Sequence, residues 1–253
     1  YRTELRARLN PTTALLTLAY EGARTHPKRV LFAEGEEEVV LRAAIAFADG
    51  GYGIPVLVGR DDVPDKLRDL GVDDPSRFEL HNSRISPLVP QMVDLLYARL
   101  QREGYMRRDC ERMVNQNRNI FGALLLALGE ADAMITGVTR HFRQTLYYIQ
   151  RCIEPAPDRF AQGIHVLVGK SHTVFMGDTT VNERPSARNL ADIAEQTAAV
   201  ARHMGHEPRV AFLSWSTFGN PPGNWLTNIR DAVAMLDERG VGFEYEGEMA
   251  PDV

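Results

Sequence analysis

Cysteine is scarce in this sequence, with Cys110 and Cys152 as its only two examples. Two isolated thiols cannot build a disulfide framework, and neither belongs to a pair with the spacing of a metal site. We therefore expect reduced, buried thiols, as is typical of a cytoplasmic protein. The seven histidines form no HExxH-like set, so the sequence predicts no metal site in this domain.

Basic residues are too few for a general nucleic-acid-binding protein. The chain has 29 Lys and Arg residues against 34 Asp and Glu residues, a net charge of -5 at pH 7, whereas nucleic-acid-binding domains are usually basic. No apolar run approaches the roughly 20 residues that span a bilayer. With 44% hydrophobic and 25% charged residues, the composition is that of an ordinary soluble globular protein. Neither nucleic acid nor a membrane is expected as a partner.

What the sequence contains is a regular alternation of apolar strand runs and amphipathic helices. Residues 29–33 and 55–59 are predicted strands, separated by a helix whose apolar residues recur at helical spacing. Such a unit is most economically right-handed and parallel, so the chain is predicted to have an α/β fold. Residues 164–168 and 172–176 are predicted to form an antiparallel hairpin, which makes the second sheet mixed.

The prolines at positions 155 and 157 mark the predicted boundary between two lobes, because neither a helix nor a central strand continues through them. We expect linker helices over residues 1–23, a first α/β lobe over residues 24–154 and a second over residues 155–253. The chain does not begin with methionine, and residues 1–9 are predicted to form a charged helix. We therefore expect a fragment of a longer protein.

The first candidate site is the junction at Gly137, where an apolar strand run gives way to a helix. Gly137 allows a close turn, and Thr136 or Thr139 is predicted to cap the helix that follows. The free N–H groups at a helix start attract anions, and Arg140 and Arg143 lie within the first two turns. The junction is therefore either an anion site or a simple connection.

A second candidate site follows the predicted strand at residues 209–213. Ser214, Ser216 and Thr217 offer hydroxyl and N–H groups that suit phosphate oxygens, although hydroxyl caps in a turn are an equal alternative. No Walker-type lysine and no GxGxxG fingerprint accompany them. Because ligands of α/β folds bind beyond the carboxyl ends of strands, both candidate sites are placed where a ligand is expected.

Charged residues elsewhere have simpler explanations. The acidic run at residues 34–38 is predicted to lie at a helix N-terminus and to favour the helix dipole rather than a metal. Asp178, after a predicted strand, is expected to orient a ligand or another loop, although capping of the turn at Asn182 is the stronger alternative. Six arginines between Arg99 and Arg118 are predicted to form a solvated face, unless some of them converge with Arg140 and Arg143 around a polyanion.

Five stretches in order resemble the phosphate acetyltransferase (phosphotransacetylase) domain, and more closely the version fused to the C-terminus of large bacterial NADP-dependent malic enzymes. They are KRVLFAEGEE at residues 28–37, GEADAMITG at 129–137, DTTVN at 178–182, LADIA at 190–194 and FLSWSTFG at 212–219. The opening helix and the closing EGEMAPDV favour the fused version. The resemblance covers essentially the whole chain.

The resemblance implies a two-lobed, three-layer α/β/α fold with a mixed, mostly parallel sheet, similar to the isocitrate and isopropylmalate dehydrogenases. Free-standing members exchange acetyl groups between coenzyme A and phosphate, using cleft arginines and a serine, an arginine and an aspartate near the chain end. Leu100 and Tyr147 stand where two of those arginines are expected. The segment with the serine is expected beyond Val253.

The function that the resemblance implies is therefore regulatory. The domain is expected to bind acetyl-CoA as an allosteric effector, to form a homo-oligomer, and to have no catalytic residues or cofactor of its own. The parent, with malic enzyme domains N-terminal in the same chain, would use NADP and a divalent metal. Alternatives are an active phosphate acetyltransferase and a purely structural assembly module. The residues expected to bind acyl-CoA or phosphate are Gly137, Thr139, Arg140, Arg143, Ser214, Ser216 and Thr217.

Overall fold

The structure is a computed structural model that describes residues 11–157, 159–169 and 172–252. The chain divides into two compact units, one of Tyr20–Glu154 and one of Pro155–Val253 with residues 1–19. The predicted helix at residues 1–9 lies outside the described residues, and the first described helix, α1, is Pro11–Thr25. None of the described helices has the length and apolarity needed to cross a membrane.

The unit Tyr20–Glu154 is built around a four-stranded parallel sheet with the order β3-β2-β1-β4. Its strands are β1 (Lys28–Phe32), β2 (Gly53–Val58), β3 (Glu79–His81) and β4 (Ala133–Ile135). Its helices are α2 (Glu38–Asp49), α3 (Val63–Asp69), α4 (Val89–Leu100), α5 (Arg107–Gln116), α6 (Arg118–Ala127) and α7 (Phe142–Cys152). The parallel arrangement predicted for the first two strands is confirmed.

Both faces of this sheet are covered, which explains why β1 and β2 are nearly continuous apolar runs. Successive side chains of a strand point to opposite faces: Leu31 packs under α4, α5 and α6, whereas Phe32 packs with α2 and α3. The cysteines Cys110 and Cys152 are buried, free thiols on the Leu31 side. Burial raises the pKa of the Cys152 thiol to about 12, so this thiol is unreactive in the folded protein.

The described residues of the unit Pro155–Val253 form two separate two-stranded sheets. The predicted hairpin is confirmed, with β5 (Ile164–Val168) antiparallel to β6 (Thr173–Gly177). A parallel pair is formed by β7 (Arg209–Leu213) and β8 (Glu244–Met249), with helices α8 (Ala187–His203) and α9 (Thr227–Arg239) packed together beside it. The expected single mixed sheet is wrong for the described residues, because no described strand bridges β6 and β7.

The helix after β4 begins later than the sequence suggests. Its first residue is Phe142, and His141 caps it because the imidazole Nδ1 accepts a hydrogen bond from the Arg143 N–H at 3.3 Å. The predicted cap by Thr136 or Thr139 is therefore wrong. The Thr136 hydroxyl donates instead to the Asn119 side-chain oxygen at 2.5 Å.

The loop between β4 and α7 is held by the buried carboxylate of Glu34, which follows β1. One Glu34 oxygen accepts from the N–H groups of Gly137 at 3.0 Å and Val138 at 2.8 Å. The other accepts from the Thr139 N–H at 2.8 Å and its hydroxyl at 2.5 Å. Glu34 is only 2% exposed, and α2 begins at Glu38. The helix-dipole explanation of the acidic run is therefore wrong for Glu34.

These hydrogen bonds keep Glu34 ionised. Burial by itself would raise the pKa of the Glu34 carboxyl, but the hydrogen bonds from Thr139, Val138 and Gly137 outweigh it, and the net pKa is lowered. A carboxyl whose pKa is lower in the folded protein than in the unfolded chain stabilises the fold above its unfolded pKa. This stabilisation is lost as the pH falls through the folded pKa.

We predict that Glu34→Gln lowers the free energy of unfolding by about 2 to 3 kcal/mol at pH 7, because an amide replaces the charge that accepts four hydrogen bonds. The difference from the wild type should shrink as the pH falls from the unfolded pKa through the lowered folded pKa of Glu34, because the stabilisation by the ionised carboxyl is lost over that range. Urea unfolding at pH 7 and at pH 3 measures both values.

The matched control is Glu38→Gln, which removes an exposed carboxylate that pairs only with Arg42 one turn along α2. Its effect should be a few tenths of a kcal/mol at either pH. A difference between Glu34→Gln and the wild type that stays constant from pH 7 to pH 3 would contradict the assignment.

Candidate functional site

The loops after β1, β2 and β4 meet at the carboxyl edge of the parallel sheet, where ligands of such sheets bind. They enclose a cavity of about 330 Å³, which we call the edge cavity. Its walls also include the end of α5 and the start of α6. The lining residues are Glu34, Glu37, Arg60, Gln116, Asn117, Arg118, Asn119, Thr139 and Arg140.

The start of helix α6 forms one wall of the edge cavity. Asn117 caps this helix, with its side-chain oxygen accepting from the N–H groups of Asn119 at 3.0 Å and Ile120 at 3.3 Å. The N-terminal end of a helix has a positive potential that favours anions. Arg118, the first residue of α6, adds a full positive charge at the same place.

Two of the arginines in the edge cavity are already paired. Arg118 forms ion pairs with Glu36 and, at 3.5 Å, with Glu37, while the Arg60 Nε lies 3.4 Å from a Glu36 oxygen. Arg140 differs, because it is exposed and no carboxylate of the described part of the chain pairs with its guanidinium. Arg140 is therefore the cation of this cavity that is available to an incoming anion.

A second cavity of about 260 Å³ adjoins the first and shares Arg60, Gln116 and Arg118 with it. Its further lining includes Ser83 and Arg84 from the loop after β3. All four strand-end loops of the sheet thus contribute to this edge.

The predicted residues of the Gly137 junction have different roles in the structure. The Gly137 and Thr139 N–H groups donate to Glu34, so the expected anion at these amides is a carboxylate of the chain itself. Arg140 lines the edge cavity. Arg143 is exposed in the first turn of α7 and lines neither of the two cavities.

Of the arginines between Arg99 and Arg118, only Arg118 is found together with Arg140 in the lining of the edge cavity. Arg107 pairs with Asp94 and Arg112 with Asp109, as the prediction of a solvated face implies.

Sequence reasoning did not single out Arg60, Gln116 or Asn119. Arg60 could have been found, because it directly follows the glycine that ends the second predicted strand and therefore lies at the same sheet edge as Glu34. The position of Gln116 depends on how α5 and α6 pack, which has no local signal in the sequence.

The three predicted hydroxyls of the second site are used inside the chain. Ser216 is fully buried, and its hydroxyl donates to Glu248 at 3.1 Å. The Ser214 hydroxyl donates to the Ser216 carbonyl at 2.7 Å, and the Thr217 hydroxyl accepts from the Ala250 N–H at 3.0 Å. The alternative of hydroxyl caps in a turn therefore describes these contacts, and the Ser216 hydroxyl does not face solvent.

Glu248 is the buried anion of this second loop. A hydrogen bond from Arg230 at 2.8 Å lowers the pKa of the Glu248 carboxyl, and the Gly219 N–H at 2.7 Å adds to the effect. Asp178 is the carboxylate that holds another loop. It accepts hydrogen bonds from the N–H groups of Gly163 at 2.9 Å and Asn182 at 2.8 Å. Asp178 thus caps the turn at Asn182, as the stronger alternative from the sequence predicts, and its bond from Gly163 also orients a second loop.

Leu100 and Tyr147 offer no guanidinium to an anion. Leu100 is 2% exposed and belongs to the core between α4 and the sheet. Tyr147 is half-exposed on α7, and its ring centre lies 4.3 Å from the guanidinium carbon of Arg151. The ring of Tyr105 lies 4.9 Å from the same carbon, so Arg151 is held between two aromatic rings by cation–π attraction.

Comparison with known proteins adds to this geometry. The family model described as phosphate acetyl/butaryl transferase matches residues 15–253. An NADP-dependent malic enzyme of Rhizobium meliloti is 43% identical over all of this chain, which covers 34% of the relative. An NADP-dependent malic enzyme of Escherichia coli is 30% identical over 95% of this chain, which covers 32% of that relative.

A solved phosphotransacetylase from Streptococcus pyogenes superposes with a TM-score of 0.85 at 25% identity, covering 94% of this chain and 72% of its own. The chain thus has the α/β fold of the phosphotransacetylases, and the further likeness to isocitrate dehydrogenases stays a prediction. The chain spans about a third of the length of the malic enzymes that it matches. Because the family model covers nearly all of it, the chain belongs to the phosphate acetyl/butaryl transferase family.

Proposed function

We propose that this chain is a regulatory and oligomerising phosphate acetyltransferase-like module of an NADP-dependent malic enzyme, and that it binds acetyl-CoA without transferring the acetyl group. The parent enzyme would convert malate to pyruvate and carbon dioxide with NADP and a divalent metal bound in its other domains. The malic enzymes of Rhizobium meliloti and Escherichia coli, which match at 43% and 30% identity, support this parent.

The observation that carries the proposal is the chemistry at positions 100 and 147. A guanidinium binds phosphate through charge and forked N–H groups. Leu100 has neither the charge nor the N–H groups, and it is buried in the core. The ring of Tyr147 packs on the guanidinium of Arg151 and covers it. Loss of two phosphate-binding cations would remove much of the electrostatic stabilisation on which transfer to phosphate depends.

Ligand binding needs fewer groups than transfer. Coenzyme A has several phosphate groups, and the edge cavity offers the available guanidinium of Arg140 beside the N-terminus of α6. We assign Arg140 as the main phosphate contact, with Gly137 and Thr139 shaping its loop through Glu34. Contacts from Arg143, Ser214, Ser216 and Thr217 stay predictions. Regulation further requires that acetyl-CoA bind two states of the parent with different affinity.

An active phosphate acetyltransferase is the second candidate. The family model and the solved phosphotransacetylases favour it. The third candidate, a purely structural assembly module, predicts normal oligomers with an edge cavity indifferent to coenzyme A and phosphate.

We predict that the complete gene product binds acetyl-CoA and that Arg140→Ala weakens this binding about tenfold or more, because one charge-assisted phosphate contact is lost. Isothermal titration measures the affinity. Arg42→Ala is the control, since it also removes an exposed arginine but from the pair with Glu38 on α2. Absence of binding in an intact oligomer would leave only the structural module.

We predict that the complete gene product forms no acetyl phosphate from acetyl-CoA and inorganic phosphate. A coupled assay for free coenzyme A, run with and without phosphate, measures the reaction. Phosphate-dependent turnover that Arg140→Ala abolishes and Arg42→Ala retains would establish the active transferase instead. Ser216→Ala is a poor probe here, because the buried hydroxyl also holds Glu248.

A further inference from the structure

The second cavity at the sheet edge lies beside the edge cavity in the unit Tyr20–Glu154 and has a volume of about 260 Å³. The two cavities have Arg60, Gln116 and Arg118 in common, so they share a wall. The other residues that line the second cavity are Glu36, Val58, Gly59, Ser83, Arg84 and Asn115. A ligand held by Arg140 in the edge cavity therefore has a neighbouring space for a further group.

The lining of the second cavity has an excess of positive charge. It contains the three arginines Arg60, Arg84 and Arg118, and its one carboxylate is that of Glu36. The side chain of Glu36 is 11% exposed, and it pairs with Arg118 and with the Nε of Arg60 at 3.4 Å. One carboxylate thus positions two guanidinium groups and neutralises only one of the three charges. This excess is local, because the chain as a whole has a net charge of -5.

Arg84 is the arginine of the second cavity that no carboxylate of the described residues pairs with. Its side chain is exposed, but its backbone is fixed, because its N–H donates to the side-chain oxygen of Asn82 at 3.0 Å. Asn82 is only 9% exposed, and its amide nitrogen donates to Asp61 at 2.9 Å, which ties the loop after β3 to the loop after β2. A fixed backbone lowers the entropy that is lost when the side chain binds a ligand.

Neutral polar side chains complete the lining, those of Ser83, Asn115 and Gln116. A hydroxyl and two amides can each donate a hydrogen bond to an anion. A phosphate monoester has three strong acceptor oxygens and a charge of about −1.5 to −2 at pH 7. The donors and the charge of the second cavity both match such a group.

Two guanidinium groups without a carboxylate partner among the described residues thus lie in adjoining cavities, Arg140 in one and Arg84 in the other. This arrangement suits a ligand with phosphate at two positions. Coenzyme A has a diphosphate on the 5′ position and a monoester on the 3′ position of one ribose. The edge cavity has two carboxylates, Glu34 and Glu37, against its three arginines. The monoester, which concentrates its charge on one phosphorus, therefore fits the second cavity better.

We propose that Arg84 binds the 3′-phosphate of coenzyme A in the second cavity, while Arg140 binds the 5′-diphosphate in the edge cavity. The proposal rests on the proposed function, because it takes acetyl-CoA as the ligand. Arg84 is then the residue that distinguishes coenzyme A from the same molecule without its 3′-phosphate.

Isothermal titration of the complete gene product with acetyl-CoA and with acetyl-3′-dephospho-coenzyme A tests the proposal. The wild type should bind acetyl-CoA about tenfold or more tightly, because the second ligand lacks one charge-assisted phosphate contact. Arg84→Gln should weaken acetyl-CoA by about the same factor and leave the dephospho ligand unchanged, so that the preference disappears. The control Arg42→Gln removes an exposed arginine that pairs with Glu38 on α2 and should change neither affinity.

The outcomes separate this proposal from the proposed function. Equal affinity of the wild type for the two ligands would overturn the role of Arg84 and leave acetyl-CoA binding intact. A preference that persists in Arg84→Gln, or an equal loss of both ligands in that variant, would overturn it as well. Failure of the wild type to bind either ligand would overturn both proposals.

Arg140→Ala distinguishes the two cavities. This variant should weaken both ligands by a similar factor and keep the preference for acetyl-CoA, because both ligands have the 5′-diphosphate. Loss of the preference in Arg140→Ala together with its retention in Arg84→Gln would place the 3′-phosphate in the edge cavity and contradict the proposal.

Discussion

The edge cavity depends on one carboxylate, that of Glu34. A loop of three consecutive N–H groups would attract any anion, and the chain supplies its own from a position 103 residues earlier in the sequence. The contact ties the end of β1 to the loop that precedes α7, and so it fixes the backbone at Arg140. The group that stabilises the loop also excludes an external anion from the amides of the loop.

Carboxylates of the chain pair with many of the positively charged side chains of the described residues. At the two candidate sites, Glu36 pairs with Arg60 and Arg118, and Glu248 pairs with Arg230. Among the three arginines that line the edge cavity, Arg140 is the one to which the described chain gives no such partner. A protein of net charge -5 can still attract a phosphorylated ligand at one place. This happens where the nearby carboxylates are already paired with cations and one guanidinium has no carboxylate partner.

Local patterns in the sequence predict the elements well, whereas long-range pairing decides the sites. The strand at residues 209–213 and the hairpin predicted over residues 164–168 and 172–176 are close to where their apolar runs place them. The Thr139 cap failed because its hydroxyl bonds to a residue far away in sequence. The mixed sheet failed because no described strand connects β6 to β7, and the composition of one strand does not tell which strand it pairs with.

The stacking of Arg151 between Tyr105 and Tyr147 has a consequence for the charge of this surface. Tyr147 offers no cation of its own, and its ring restrains the guanidinium of Arg151. A Tyr147→Arg replacement would add a cation to this surface but would also place a like charge beside Arg151 in place of a ring. The charge of the surface and the mobility of Arg151 would therefore change together.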